Sequence, residues 1–337
     1  MLHLALATAL VQGFTPPAEP APISVATYNL WVGGQNAFPD KAASRQLTLD
    51  ALRALDADIL AIQEQKGFAE EYAAALGYHV LVQDDSTAVL TRFEIVEPSK
   101  NKWGAQLRTP HGQTLWVFNV HFPAAPYQPY QLESIPYHDA RFISTPAEAL
   151  TESRLARGEN AHRALKDMAP ALADPAALII LCGDFNEPSC LDWTHAATSA
   201  WGRVGPIDWP TTRLFHDAGF IDAFRAVHPD PIAKPGWTWT PRPDARDVMD
   251  RIDLVLVRPP APTPTPSPAP DAQPPLAPHH APAPATPSWS VSAAEVVGEP
   301  GPMTDRPIDP WPSDHRAVRV TLTPTLTPSS PRPPLAR

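Results

Sequence analysis

Cysteine is nearly absent: Cys182 and Cys190 are the only two in 337 residues, too few for a disulfide framework. Cys182 lies inside the apolar run LIILCGDF, where it reads as a small core hydrophobe. Basic residues are also scarce. Lys and Arg number 26 against 36 Asp and Glu, a formal net charge of −10 with a pI near 5.6. That balance excludes a broad basic footprint for duplex nucleic acid, although a short positive groove fits inside an acidic protein. No apolar run reaches the ~18 residues of a membrane-spanning helix. Glycine-rich phosphate loops, internal repeats and coiled-coil heptads are missing as well. Proline, in contrast, is abundant at 45 residues, about 13% of the chain against a usual ~5%. With 43% hydrophobic residues a sizeable core can form, which excludes wholesale disorder.

The N-terminal MLHLALATALVQGFTPPAEP reads as a short export signal, with Val11 and Gly13 as the small residues before a cleavage point. Residues 1–22 are therefore expected to be a leader, and the protein to be secreted or periplasmic. The absence of Lys or Arg ahead of the apolar stretch keeps a cytoplasmic N-terminus as the alternative. From Ile23 onward strands and helices alternate. ISVATYN, ADILAIQE, HVLVQ, TAVLT, QTLWVFNVHF, AALIILCG, MDRIDLVLV, WSVSAAEVV and HRAVRVTL read as strands. Helices are expected over residues 40–55, where Leu47, Ala51, Leu52 and Leu55 share a face, and over 68–76 and 147–168. Parallel-type units and hairpins both occur, which predicts a mixed sheet system with helices outside. Residues 259–287 are almost wholly Pro, Ala, Ser and Thr. They are expected to be an extended, solvated insertion in a hairpin loop, and residues 324–337 a disordered tail. One domain over 23–323 remains.

Polar residues gather at the ends of the expected strands. Asn29 ends ISVATYN and Glu64 ends ADILAIQE; Asn119 and His121 end LWVFNVHF. Asp184 and Asn186 follow LIILCG as GDFNEPS, Asp253 lies in DRIDLVLV, and Asp314 with His315 opens the last strand as SDHRAV. Asn and Asp are common where single strands turn into loops, but five strand ends carrying carboxylates, amides and imidazoles converge on one site. Asn29, Glu64 and Asp314 offer oxygen alone, which suits a hard cation such as Mg²⁺ or Mn²⁺. With no cysteine among them, structural zinc is disfavoured. Asp184 and Asn186, two residues apart, share a face in extended chain.

TYNL, QE, GDFN, RIDLVLV and SDH, in that order, resemble the endonuclease/exonuclease/phosphatase superfamily of pancreatic deoxyribonuclease, apurinic-site endonucleases, bacterial sphingomyelinases and inositol polyphosphate 5-phosphatases. The likeness runs from about Ile23 to Leu322. It implies an α+β, four-layer αββα sandwich of two mixed sheets and divalent-metal-dependent hydrolysis of phosphoric esters. By the same likeness Glu64 is the principal metal ligand, with Asn29 beside it and Asp314 completing the set. Asp184 activates the attacking water and Asn186 hydrogen-bonds the phosphate. His315 binds the phosphate or carries a proton, oriented by Asp253, with Asp250 as the alternative. His121 matches a strand-end histidine that binds phosphate or protonates the leaving oxygen.

The substrate is less legible. Tyr127, Tyr130 and Tyr137 in the loop after His121, and Trp237 and Trp239 in GWTWTP, are aromatic rim residues that also suit ordinary packing. Asn119, Tyr127, Tyr130 and Trp239 are taken as substrate contacts. A small-molecule or lipid-derived phosphodiester is the first expectation, a nucleic-acid phosphodiester the second. A non-catalytic binding module comes third, because every position needed to hold metal and water is filled. No cluster of basic residues suits a polyphosphorylated substrate. No protein partner is indicated, and a monomer is expected.

Overall fold

The computed structural model describes residues 21–243, 247–261 and 288–325. The expected leader therefore lies outside the described residues, as do most of the proline-rich segment and residues 326–337. The chain starts with β1 (Ile23–Asn29), a single kinked turn α1 (Trp31–Gly34) and α2 (Lys41–Leu55). Asp40 caps α2 by accepting from the amides of Ala42 and Ala43. Ser44, Thr48, Ala51, Leu52 and Leu55 form its buried stripe. Next come β2 (Ile59–Gln63), α3 (Ala69–Leu76), β3 (His79–Val82), β4 (Thr87–Thr91), β5 (Glu94–Pro98), β6 (Gly104–Arg108) and β7 (Thr114–His121). After α4 (Gln128–Leu132), the long α5 (Pro146–Ala173) opens with a capping box of Thr145 and Glu148. β8 (Ile179–Asp184), α6 (His195–Ala200), α7 (Pro210–Asp217), β9 (Ile221–Asp222) and α8 (Ala223–Val227) follow. β10 (Asp253–Arg258), β11 (Ser288–Gly298), β12 (Arg306–Pro307) and β13 (Ala317–Thr325) complete the described chain.

One sheet has the order β12-β11-β13-β1-β2-β4-β3 and the other β5-β6-β7-β8-β10-β9. Both mix parallel and antiparallel pairs, and their inner faces meet. Val25, Ile59, Ala61, Val89 and Val318 from one sheet pack with Leu107, Val117, Ile180, Cys182 and Val255 from the other. The outer face of the first sheet buries Tyr28, Leu60, Ile62 and Leu90 against Leu52 and Leu55 of α2 and Tyr72 of α3. The outer face of the second buries Phe118, Leu181 and Leu254 against Ala161, Ala164 and Met168 of α5 and Phe215 of α7. This is the four-layer αββα sandwich. Side chains of β8 alternate between the two layers, with Ile180 and Cys182 inward and Ile179 and Leu181 outward, so neither face tolerates a one-residue slip. No described helix is long and apolar enough to cross a membrane.

Three expectations need correction. The proline-rich segment does not close a hairpin, because β10 and β11 belong to different sheets. The strand around RIDLVLV starts only at Asp253, so alternation says nothing about Asp250. β13 extends through Pro324 and Thr325, which pair with Trp289 and Ser288, because β11 offers an antiparallel partner that far. The expected tail therefore starts later than residue 324.

The topology concentrates polar residues at one edge. Parallel β1 and β2 end together at Asn29 and Gln63. In the other sheet His121 pairs with Asp184, and Asp184 with Asp253, so one row across β7, β8 and β10 carries an imidazole and two carboxylates. β13 begins two residues after His315, beside β1.

Candidate active site

Asp184 is the hub. It is 1% exposed, and each oxygen is held. Oδ1 accepts the Asn186 amide at 2.9 Å and Oδ2 accepts Nδ2 of Asn29 at 3.0 Å. Asn186 reaches back because its backbone is left-handed (φ 49), and its own Nδ2 donates to the Phe122 carbonyl at 3.0 Å. Two imidazoles flank Asp184 Oδ2, His121 Nε2 at 3.6 Å and His315 Nε2 at 3.8 Å. Burial raises the Asp184 pKa and nearby Asp253 adds to that, while both rings oppose it. The result is a carboxylate more basic than an ordinary aspartate.

His315 Nδ1 lies 2.9 Å from Asp253 Oδ2. Burial disfavours its charge, but Asp253 and Asp184 outweigh that and hold its pKa up at about 10. The two carboxylates thus favour the charged form of the ring. Ser313 fixes its approach by accepting the His315 amide at 3.1 Å while donating to the Asn29 carbonyl at 2.7 Å. Asp250 is occupied elsewhere: Tyr127, Trp193 and Arg203 all donate to it. Asp253, not Asp250, thus supports His315. The other histidine, His121, has Nδ1 2.7 Å from Ser86 Oγ.

Glu64 and Asp314 face this hub. Glu64 sits in left-handed backbone (φ 53), with Oε2 accepting the Val32 amide at 2.7 Å. That amide is aimed by a run of left-handed residues, Trp31 (φ 55), Val32 (φ 56), Gly33 and Gly34. A β-branched residue at such a φ is strained, and the strain sits at the site. Gly34 is required for a separate reason, since a Cβ there would meet Thr48 Oγ1 at 2.4 Å. Burial raises the Asp314 pKa to about 6, with Glu64 and Asp184 adding to the rise. Its Oδ1 is buried and has no hydrogen-bond partner among the described residues. An unpaired carboxylate oxygen facing a second carboxylate, with oxygen donors only, fits a hard divalent cation of the Mg²⁺ or Mn²⁺ kind.

Asn29 stands beside Glu64, as expected. Its Oδ1 accepts the Trp31 amide at 3.0 Å, and its Nδ2 spans Glu64 Oε1 (3.4 Å) and Asp184 Oδ2 (3.0 Å). Its amide nitrogen therefore bridges two carboxylates, while its oxygen keeps one lone pair beyond the Trp31 amide. Asp184, Asp253 and His315 also bring one ligand atom each within 4.8 Å of one another.

Above these groups lies a cavity of about 210 Å³ lined by Trp31, Val32, Tyr127, Tyr130, Tyr137 and Trp239 together with Glu64, His121, Asp184, Asn186, Asp314 and His315. Trp239 rests its ring 4.8 Å from that of His315 and donates through Nε1 to the Tyr130 hydroxyl at 2.9 Å. The Tyr130 hydroxyl donates to Asp247 and that of Tyr127 to Asp250, each at 2.8 Å, so the wall is fixed from behind. Arg157, fully buried, pins the same loop by donating to Gln128 Oε1 (2.6 Å), the Ala124 carbonyl (3.2 Å) and the Pro126 carbonyl (2.9 Å).

Asn119 is not part of the cavity lining. It is 2% exposed, donates to the carbonyls of Ile62 and Ala88 at 2.9 Å each, and accepts from Gln63 Nε2 at 2.7 Å. Its amide stitches the two sheets together. Trp31, conversely, lines the cavity without having been singled out, and Tyr137, expected at the rim but not taken as a substrate contact, lines it too. Burial raises the Tyr137 hydroxyl pKa first, and Asp184 and Glu64 raise it further, which puts that hydroxyl in the field of the site carboxylates. Trp237 packs its ring 5.7 Å from that of Trp201 and stays outside the cavity.

The sequence model of the Endonuclease/Exonuclease/phosphatase family matches residues 26–315. The chain belongs to that family. Members of the family are hydrolases of phosphoester bonds, and this member is an enzyme of that class. The "Uncharacterized protein F14F9.5" of Caenorhabditis elegans is 24% identical over 234 residues, covering 65% of this chain and 70% of that protein. Among solved structures, an endonuclease/exonuclease/phosphatase family protein from Bacteroides thetaiotaomicron is 18% identical with a TM-score of 0.50, covering 92% of this chain and 100% of that one. An AP endonuclease from Archaeoglobus fulgidus gives 17% identity and 0.49 over 88% of this chain and 98% of that one. D. rerio TDP2 complexed with single strand DNA product gives 16% and 0.48 over 90% and 100%. At these identities the likeness is one of fold.

Proposed function

We propose that this family member is a divalent-metal-dependent phosphodiesterase that hydrolyses a compact, singly charged diester by in-line attack of water. The observation that carries this reading is the arrangement around Asp184, a buried, more basic carboxylate oriented by two amides and flanked by two imidazoles. Asp184 orients the water and accepts its proton. His315, kept charged by Asp253, donates toward a non-bridging phosphate oxygen. His121, on the other side of Asp184, protonates the departing alkoxide. Glu64 and Asp314 would hold the cation. When bound, a divalent cation neutralises charge on the phosphate oxygens that would otherwise repel the nucleophile.

Among the described residues no Lys or Arg lines the cavity, which supports a single phosphodiester over a polyphosphate. The test is hydrolysis of bis-p-nitrophenyl phosphate with Mg²⁺ or Mn²⁺, with and without chelator, beside plasmid DNA in the same buffers. Turnover of the diester that chelator abolishes, with plasmid left intact, is the expected result. Plasmid nicking that disappears in Asp184→Ala would make the enzyme a nuclease. Inactivity on both substrates at every metal would sink the proposal.

A further inference from the structure

His121 and His315 flank the same oxygen of Asp184 but are backed by different groups. Nδ1 of His315 meets Asp253, a carboxylate that only accepts. Nδ1 of His121 lies 2.7 Å from Ser86 Oγ, a hydroxyl that accepts or donates. The other side of the His121 ring decides which it does. With Asp184 Oδ2 3.6 Å from Nε2, a bare nitrogen there would set lone pair against lone pair, so the proton of the neutral ring belongs on Nε2. Nδ1 then carries the lone pair, and Ser86 is the donor. The loop bearing Ser86 is braced in this position, since Asp84 Oδ1 accepts from the Ser86 amide (2.8 Å) and from the Thr87 amide and hydroxyl (2.7 and 3.0 Å). Behind Ser86 lies a second cavity of about 210 Å³, and His121 lines both chambers. Exposed Asp84, Asn101 and Lys102 contribute to the second lining, so solvent reaches it. Ser86 Oγ makes no other hydrogen bond with any described residue, which leaves its remaining lone pairs open to that side.

We propose that Ser86 is a positioning residue that holds His121 with its proton on Nε2 and relays protons between Nδ1 and the solvent of the second cavity. The inference rests on the preceding reading, in which His121 protonates the leaving oxygen. As the P–O bond breaks, the leaving oxygen takes the Nε2 proton and Nδ1 takes the hydroxyl proton of Ser86. Ser86 Oγ is reprotonated by water of the second cavity, so no charge is stranded on the ring. Asp184 then returns to Nε2 the proton it took from the attacking water, and Nδ1 passes its own back through Ser86. The solvent that lent a proton is restored, and the net transfer runs from attacking water to alcohol. His315 has no such route, because an ionised Asp253 has no proton to lend.

Methyl p-nitrophenyl phosphate and methyl phenyl phosphate are the probes. They differ in the basicity of the leaving oxygen, and the more basic phenyl oxygen depends more on receiving a proton. Turnover of both with Mg²⁺ or Mn²⁺ is compared in the native full chain, Ser86→Ala and Ser86→Thr. Ser86→Ala should slow the phenyl ester about tenfold more than the nitrophenyl ester, the worth of one good hydrogen bond. Ser86→Thr, which keeps the hydroxyl, should keep the native ratio. A merely structural role for Ser86 would slow both esters alike. Nitrogen NMR of the neutral His121 ring should show the Nε2–H tautomer in the native protein, a readout that needs no turnover. An unmoved ratio in Ser86→Ala, an equal slowing of both esters, or an Nδ1–H ring in the native protein overturns the proposal. Native protein inactive on both esters condemns the phosphodiesterase reading and the relay with it, whereas native turnover with an unmoved ratio condemns the relay alone.

Discussion

The floor and the wall of the cavity are built on different principles. The floor groups, His121, Asp184, Asp253, Glu64 and His315, stand on or immediately beside strand ends, where hydrogen-bonded register sets their spacing. The wall groups, Tyr127, Tyr130, Tyr137 and Trp239, stand on loops and a five-residue helix, and side-chain bonds to buried Asp250, Asp247 and Arg157-held backbone keep them in place. A floor set by backbone register holds reacting atoms rigidly. A wall set by side chains can be rebuilt for a different substrate without disturbing the chemistry.

That contrast predicts a descending series of effects. Asp184→Ala should reduce kcat by about 10³–10⁴-fold with an unchanged circular dichroism spectrum, because it removes the proton acceptor and the hub of the site; a fall under tenfold would detach Asp184 from the reaction. Glu64→Gln should cost on the order of 10²-fold and move the Mg²⁺ titration to higher concentration. A loss of rate with the titration unmoved would take Glu64 out of the cation site. Asp253→Asn should lower kcat by about 10–100-fold through a misoriented, less basic His315, read out as a shifted pH–rate profile. Tyr130→Phe severs the links to Asp247 and Trp239, and a KM change of a few-fold with kcat nearly intact is expected; a kcat collapse there would erase the distinction between wall and floor. Smallest of all should be replacing residues 262–287 by a Gly/Ser linker. Arg258 and Ser288 lie in different sheets, so the linker has to pass from one sheet to the other. Melting temperature and kcat should both stay near native values.

The same division governs what could be foreseen from the sequence. Strands announced themselves by alternation, and their polar ends marked the floor, so Glu64, Asp184, Asp253, Asp314 and His315 were nameable as one set. For Asn29, spacing placed the side chain but could not say that its amide nitrogen would span Glu64 and Asp184. Asn119 looked like a floor residue for the same reason, yet it points between the sheets, where Ile62 and Ala88 carbonyls need a donor. Trp31 was hidden because its entry to the cavity depends on four successive left-handed residues, and only Gly33 and Gly34 hint at them. Tyr137 could not be told from Tyr127 and Tyr130, since all three sit in one proline-broken loop. The hairpin expected around residues 259–287 failed because strand order follows from contacts distant in sequence.

The direction of β10 has a consequence for how this protein can vary. β10 starts in the active site at Asp253 and leaves it, reaching Arg258 at the opposite pole, and β11 sets out from that same pole, with Ser288 paired to the distal end of β13. The two described strands that flank residues 262–287 thus meet that segment at the pole away from the reacting groups. Loop-closure entropy rises only slowly with length, so this pole is a docking port where lineages, or engineers, can append sequence without retuning catalysis.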